Sequence, residues 1–238
     1  FRTWIKKLWF APSDLKKNTQ NEKIEGIYLP YWTYDANTYS AYTGQRGDYY
    51  YETETYTTTN DQGESVTRQR QVRRTRWTSV SGSVGVNFDD VLVIASNSLP
   101  KKYTWKLEPW YLKDLVPFDN KFLSGFRSEA YQVAVTAGME TAKSKMEPTI
   151  RSTIRSDIGG AEQRITGVNT SYSDITFKHI LLPIWISSYR FKDKVYRFLI
   201  NGQTGEVQGE RPYSALKIAL TVLAVIAVIV LAVIIFSK

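Results

Sequence analysis

IEGIYLPYWTYDANTYSAYTGQRGDYYYETETYTTTNDQGESVTRQRQVRRTRWT, residues 24–78, is the stretch that decides the fold. Ile24 to Tyr34 and Thr38 to Thr43 are rich in aromatic and β-branched residues, which suit a pleated surface better than a helix. Gly44-Gln45-Arg46-Gly47 is expected to make a turn between strands. Tyr49 to Thr59 and Val66 to Thr78 then flank Asn60-Asp61-Gln62-Gly63, the composition of a long hairpin.

The hairpin carries the main charged feature. Arg68, Arg70, Arg74 and Arg76 alternate onto one face around Val72, while Arg73 points to the other. Glu52 and Glu54 share the same two-residue period, and a register setting Glu54 beside Arg68 and Glu52 beside Arg70 would neutralise half the stripe. Arg73, Arg74, Arg76 and the adjoining Trp77 then form a candidate surface for a protein partner or acidic lipid. A solvated sheet face explains the same residues, and nucleic acid is the weakest of the three readings.

Downstream, Val91 to Ala95 is too short to cross a bilayer and reads as core, while Asp89 and Asp90 read as a helix or turn start. Residues 100–117, with Trp105, Trp110 and Tyr111, read as irregular chain laid over a sheet. The clearest amphipathic helix runs from about Ser128 to Ile158, with Val135, Met139, Ala142, Met146, Ile150 and Ile154 on one side. Pro148 is expected to kink or divide it and Gly159-Gly160 to end it. Lys143, Lys145, Arg151 and Arg155 make its outer side basic.

The segment LKIALTVLAVIAVIVLAVIIF, Leu216 to Phe236, has one charge, Lys217, and as a helix would reach roughly 31 Å, the thickness of a hydrocarbon core. It is read as a membrane anchor. A buried core helix is the alternative, disfavoured because no face is polar. Arg211 and Lys217 at the near end of the segment and Lys238 after it favour, narrowly, a cytoplasmic position for the rest of the chain. The expectation is a tail-anchored, single-pass protein of the cell membrane. A net charge of +8 fits a domain held against an anionic leaflet as well as it fits nucleic-acid binding.

FRTWIKKLWF, residues 1–10, can form an amphipathic helix that packs on the domain, joins it to another module, or lies in the headgroup plane. The division that follows is residues 1–20 as an amphipathic helix or linker, 21–209 as an α+β domain, 210–215 as a hinge and 216–236 as the span. Leu29-Pro30-Tyr31-Trp32 is echoed by Leu182-Pro183-Ile184-Trp185, and Gly44-Gln45-Arg46-Gly47 by Gly202-Gln203-Thr204-Gly205. Two related strand-hairpin units are inferred, with the long helix between them in sequence. The predicted fold class is α+β: an antiparallel β-rich domain, a long packed helix and one C-terminal transmembrane helix.

No reaction class emerges. Zero Cys excludes a zinc ribbon within these residues, and His179 is the one histidine. No GxSxG elbow, Walker loop, HExxH helix or dinucleotide fingerprint accompanies it. Glu140 and Glu147 could share a helix face, but Lys143 and Lys145 supply an ordinary solvated explanation. Catalytic, cofactor and metal residues are therefore expected to be none.

LPYWTYDANTYSAYTGQRGDYY at Leu29 to Tyr50, LLPIW at Leu181 to Trp185, and NGQTGEVQGERP ahead of the apolar tail resemble a bacterial family of zinc-ribbon membrane proteins, some labelled primosomal helicase-like or transcription-factor-IIB-type. The resemblance implies a cysteine-bearing ribbon upstream of Phe1, which would hold zinc, and companionship with membrane-stress systems that include SPFH-type scaffold proteins. The helicase label carries little force because the chain has no ATP-binding loop. The expected function is a non-enzymatic, membrane-anchored adaptor or scaffold acting with a membrane-associated protein partner or as a homo-oligomer. The alternative is an anionic-lipid or nucleic-acid module using Arg73, Arg74 and Arg76.

Overall fold

The computed structural model describes residues 4, 7, 9–12, 24–60 and 62–236, the side chain of Phe236 excepted. It is α+β, with a mostly antiparallel sheet and a C-terminal apolar helix. The strands are β1 (Glu25–Thr59), β2 (Ser65–Ile94), β3 (Phe126–Ser128), β4 (Glu162–Phe191), β5 (Lys194–Asn201) and β6 (Val207–Gly209), in sheet order β2-β1-β4-β5-β6 with β3 on β1. The α-helices whose full extent is described are α1 (Lys101–Thr104), α2 (Val135–Ile158) and α3 (Ala215–Phe236). The residues group into two compact units. One comprises Phe1–Tyr31, Ile94–Ala134 and His179–Lys238; the other comprises Trp32–Val93 and Val135–Lys178.

In the second unit, the helix stripe read from the sequence is buried except at Val135, the first residue of the helix, which is half-buried. Met139, Ala142, Met146, Ile150 and Ile154 are all covered, together with Ile158. The opposing face comes from alternate residues of β1: Trp32, Tyr34, Ala36, Thr38, Ser40 and Tyr42 are buried while Asn37, Tyr39 and Ala41 are exposed. Gly138 lets α2 approach closely, because a Cβ there would lie 2.2 Å from the Tyr34 hydroxyl. That hydroxyl donates to the Val135 carbonyl at 2.6 Å. Gly159 and Gly160, with φ of 64° and 75°, end the helix as expected.

Several boundaries differ from the sequence reading. Gly44–Gly47 makes no turn but lies inside continuous β1, because Ile158 and the Arg164 carbonyl pack where a Cβ of Gly44 would stand. The glycines answer a close approach and not a reversal. Helix α2 begins at Val135 instead of Ser128, because Phe126–Ser128 pair in parallel with Gly26–Tyr28 and the amides of Gln132 and Val133 bond the Ala95 carbonyl. Pro148 does not divide the helix, which runs on as α2 with the ring on its exposed side. Asp89 and Asp90 lie within β2, where Asp90 takes φ 52°, and start no helix.

In the first unit, β4 and β5 form a hairpin from Ile184↔Asn201 to Phe191↔Lys194. Its turn is Lys192-Asp193, both at positive φ. The Asn201–Gly205 turn then returns the chain as β6. Asn201, buried, holds this corner: its amide donates to the carbonyls of Leu107 (2.8 Å) and Pro109 (3.1 Å), and its oxygen accepts from the amides of Gln203 and Thr204. Ala11, Tyr189, Phe198 and Val207 form a core cluster against which Trp4 packs; most of residues 1–20, over which a helix or linker was expected, lie outside the described residues.

Candidate functional site: the projecting arm and the base of the apolar helix

Beyond the bond from the Ala161 amide to the Gly47 carbonyl, β1 has no β4 beside it, since β4 begins at Glu162. Residues 48–59 and 65–76 continue alone as a two-stranded arm, roughly 40 Å long at strand rise. None of its described residues is buried. Asn60 closes the tip: its side-chain oxygen accepts from the amides of Gln62 and Glu64 at 3.1 and 2.9 Å, and Gly63 takes φ 82°.

An isolated two-stranded ribbon is marginally stable in water, so its side chains must contribute. Glu54 bonds Arg70 at 3.1 Å and also Arg74, and Glu52 approaches Arg74 at 3.4 Å. The register expected from the sequence was therefore displaced: Glu54 meets Arg70 and not Arg68, and Arg74 is the most compensated arginine and not an unpaired one. Tyrosines take up Arg73 and Arg76. The guanidinium of Arg73 lies 4.3 Å from the Tyr49 ring centre, and that of Arg76 lies 5.2 Å from Tyr50. Trp77 is covered by Arg164 at 3.7 Å. Arg74 and Arg76 share one face, Arg73 and Trp77 the other, so the four residues line two faces of the arm and no single patch. Residues 48–76 hold five acidic and five basic side chains and carry no net charge.

The basic side of α2 is likewise engaged. Lys143 pairs with Glu140 and Arg151 with Glu147, both at 2.7 Å, and Lys145 donates to the Leu92 carbonyl. These pairs also account for the two glutamates.

Helix α3 is apolar and long enough to cross a membrane, and none of its apolar window is buried. Leu216 is 70% exposed near its start and Phe236 is its last residue. The Lys217 ammonium donates to the Ala11 carbonyl at 2.8 Å, and the Ser214 amide to that of Phe10, fastening residues 10–11 to the base of the helix. Beside that base is an open groove of about 730 Å³ lined by Lys102, Lys106, Lys194, Arg211, Tyr103 and Tyr213. The Arg211 guanidinium bonds the Tyr213 hydroxyl at 3.3 Å and, with Lys102 and Lys106, holds that phenol below its ordinary range. Sequence reading did not find this groove, because its cations come from three separated segments with no local pattern.

Two other places bring together groups capable of chemistry. His179 borders a cleft of about 340 Å³ whose wall includes Tyr28, Leu115, Phe118, Phe122 and Pro183; burial lowers its imidazole pKa, and the Tyr131 ring meets it edge-on at 5.5 Å. Asp35, Asp89 and Asp90 bring carboxylate oxygens within 4.8 Å of one another, a spacing that could hold a cation. Lys178 already supplies that charge, 3.0 Å from Asp90 and 3.6 Å from Asp35. Burial opposes ionisation of Asp35, but the Asp90 amide, the Thr176 hydroxyl and Lys178 outweigh it and keep the carboxyl below its ordinary range.

No family model and no solved structure matches the chain. A relative among curated proteins is "Uncharacterized protein YdjG" of Bacillus subtilis (strain 168), 28% identical over 233 residues. The match covers 92% of this chain but 61% of that protein's length.

Proposed function

We infer that this chain is a non-enzymatic adaptor held at the cell membrane by α3, with its other residues on the cytoplasmic side, and that the β1–β2 arm presents a surface to a protein assembly there. The observation that carries the reading is the arm itself. It is a long ribbon with no buried described residue and with exposed tyrosines on both faces, Tyr49 and Tyr51 on one and Tyr50 and Tyr56 on the other. Extended strands stripped of a sheet partner expose a row of backbone donors and acceptors, a ready template for a strand from another protein. The arm's zero net charge supports a protein partner over nucleic acid or an acidic bilayer, both of which favour cationic surfaces. Gentle solubilisation of membranes followed by purification of the full-length protein is expected to recover a stoichiometric protein partner or homo-oligomer. Repeated recovery of a lone monomer would overturn the reading.

A further inference from the structure

We propose that the groove at the base of α3, lined by Lys102, Lys106, Lys194 and Arg211, binds the phosphate of an anionic phospholipid. This site is separate from the arm, and the inference stands whether or not the arm has a protein partner.

Position is the first argument. Tyr213 lines the groove and Ala215 opens the helix, so at most about 7 Å of chain separates them. The headgroup layer on each side of a hydrocarbon core is roughly 5–8 Å deep. A groove tied this closely to the first turn of a membrane span lies at the level of lipid phosphates. Exposed aromatic side chains mark the same level: Tyr213 is 59% and Trp9 76% exposed, as residues at the interface of water and lipid commonly are.

Charge is the second. Lys102, Lys106 and Lys194 are exposed; among the described residues they make no ion pair, and Arg211 bonds the Tyr213 phenol without a carboxylate partner. The one carboxylate of the lining, Glu210, accepts the Arg197 amide at 3.3 Å and so turns partly to the backbone of β5. Four cations against one carboxylate leave a concave positive site beside an anionic surface. The tyrosines give it walls: Lys102 lies 4.6 Å from the Tyr103 ring centre and Arg211 5.4 Å from that of Tyr213. The open side admits a headgroup whose acyl chains remain alongside α3.

The test uses the full-length protein in a mild detergent, incubated with phosphatidylglycerol or phosphatidylcholine and weighed intact by native mass spectrometry. Phosphatidylglycerol is expected to be retained preferentially. Lys106→Gln with Lys194→Gln is expected to lower that retention about 30-fold, at about a factor of five per cation. Lys113→Gln with Lys121→Gln removes the same charge elsewhere and is expected to leave retention unchanged. Lys106→Arg with Lys194→Arg is expected to preserve it. Equal retention of both lipids, or an unaffected Lys106→Gln/Lys194→Gln variant, overturns the proposal. Displacement of the lipid by inorganic phosphate at an ionic strength at which chloride leaves it bound also overturns it, in favour of a site for free phosphate. If the double glutamine variant unfolds, the wild type decides: retention must fall steeply with added salt, and indifference to salt refutes the site.

Discussion

Replacing Asn201 with Ala should loosen the first unit and, through it, the groove. The side chain makes four hydrogen bonds at 2.8 to 3.1 Å from a position 1% exposed. A buried neutral hydrogen bond is worth about 1 kcal/mol net, and partners left unsatisfied cost more. Water can reach the half-buried Gln203–Thr204 side of the turn, so those two amides recover part of their loss. The Leu107 carbonyl belongs to a fully buried residue and recovers little. The sum is a loss of about 3 kcal/mol, a large share of an ordinary domain's stability. Guanidinium unfolding of the full-length protein in mild micelles, followed by near-ultraviolet circular dichroism, measures it. Asn201→Asp sharpens the point: it keeps the acceptor but sets a carboxylate against two carbonyl oxygens, and it should be at least as destabilising at neutral pH. A loss under about 1 kcal/mol for Ala, or an Asp variant as stable as wild type, would refute the account of this corner. Because Lys106 directly precedes Leu107, the same variants should lower retention of anionic lipid.

Gly138→Ala gains up to about 1 kcal/mol of helix propensity, but its Cβ displaces the Tyr34 hydroxyl from the Val135 carbonyl, so a net loss of about 1–3 kcal/mol is expected in the same unfolding assay. Stabilisation would show that α2 and β1 are less closely apposed. His179, whose folded pKa burial depresses, binds a proton more readily when unfolded. Stability should therefore fall as pH drops below about 6.5 toward the folded value, and His179→Gln should flatten that dependence. An unchanged profile would place the acid sensitivity elsewhere. Glu54→Gln weakens the contacts with Arg70 and Arg74; it should speed amide hydrogen exchange in residues 48–76 while changing global stability by less than about 1 kcal/mol. A large global loss would mean that the arm folds as part of the core.

The helix stripe and the long apolar segment were legible because each is a local pattern whose period or composition owes nothing to distant chain. What was not legible depended on tertiary neighbours. Gly44–Gly47 has turn composition, yet the packing of Ile158 on Gly44 makes it strand. Phe126–Ser128 resembles a helix entrance until its parallel pairing with Gly26–Tyr28 claims it. On the arm, the alternation of Arg68, Arg70, Arg74 and Arg76 was read correctly but the register was not. A displacement of two residues keeps every side chain on its face and changes only its partner, so periodicity cannot detect it. The groove is the extreme case: Lys102, Lys194 and Arg211 converge only through the β4–β5–β6 corner and the loop that Asn201 fastens.

The most direct test of the adaptor reading uses the arm in intact membranes. A photo-crosslinking amino acid in place of Tyr51, which is 66% exposed on the arm, is irradiated in cells carrying the full-length protein. The account predicts a discrete adduct with a protein, either a partner or a second copy of this chain, that disappears when residues 216–236 are removed. No protein adduct, or crosslinks to lipid alone, would contradict it.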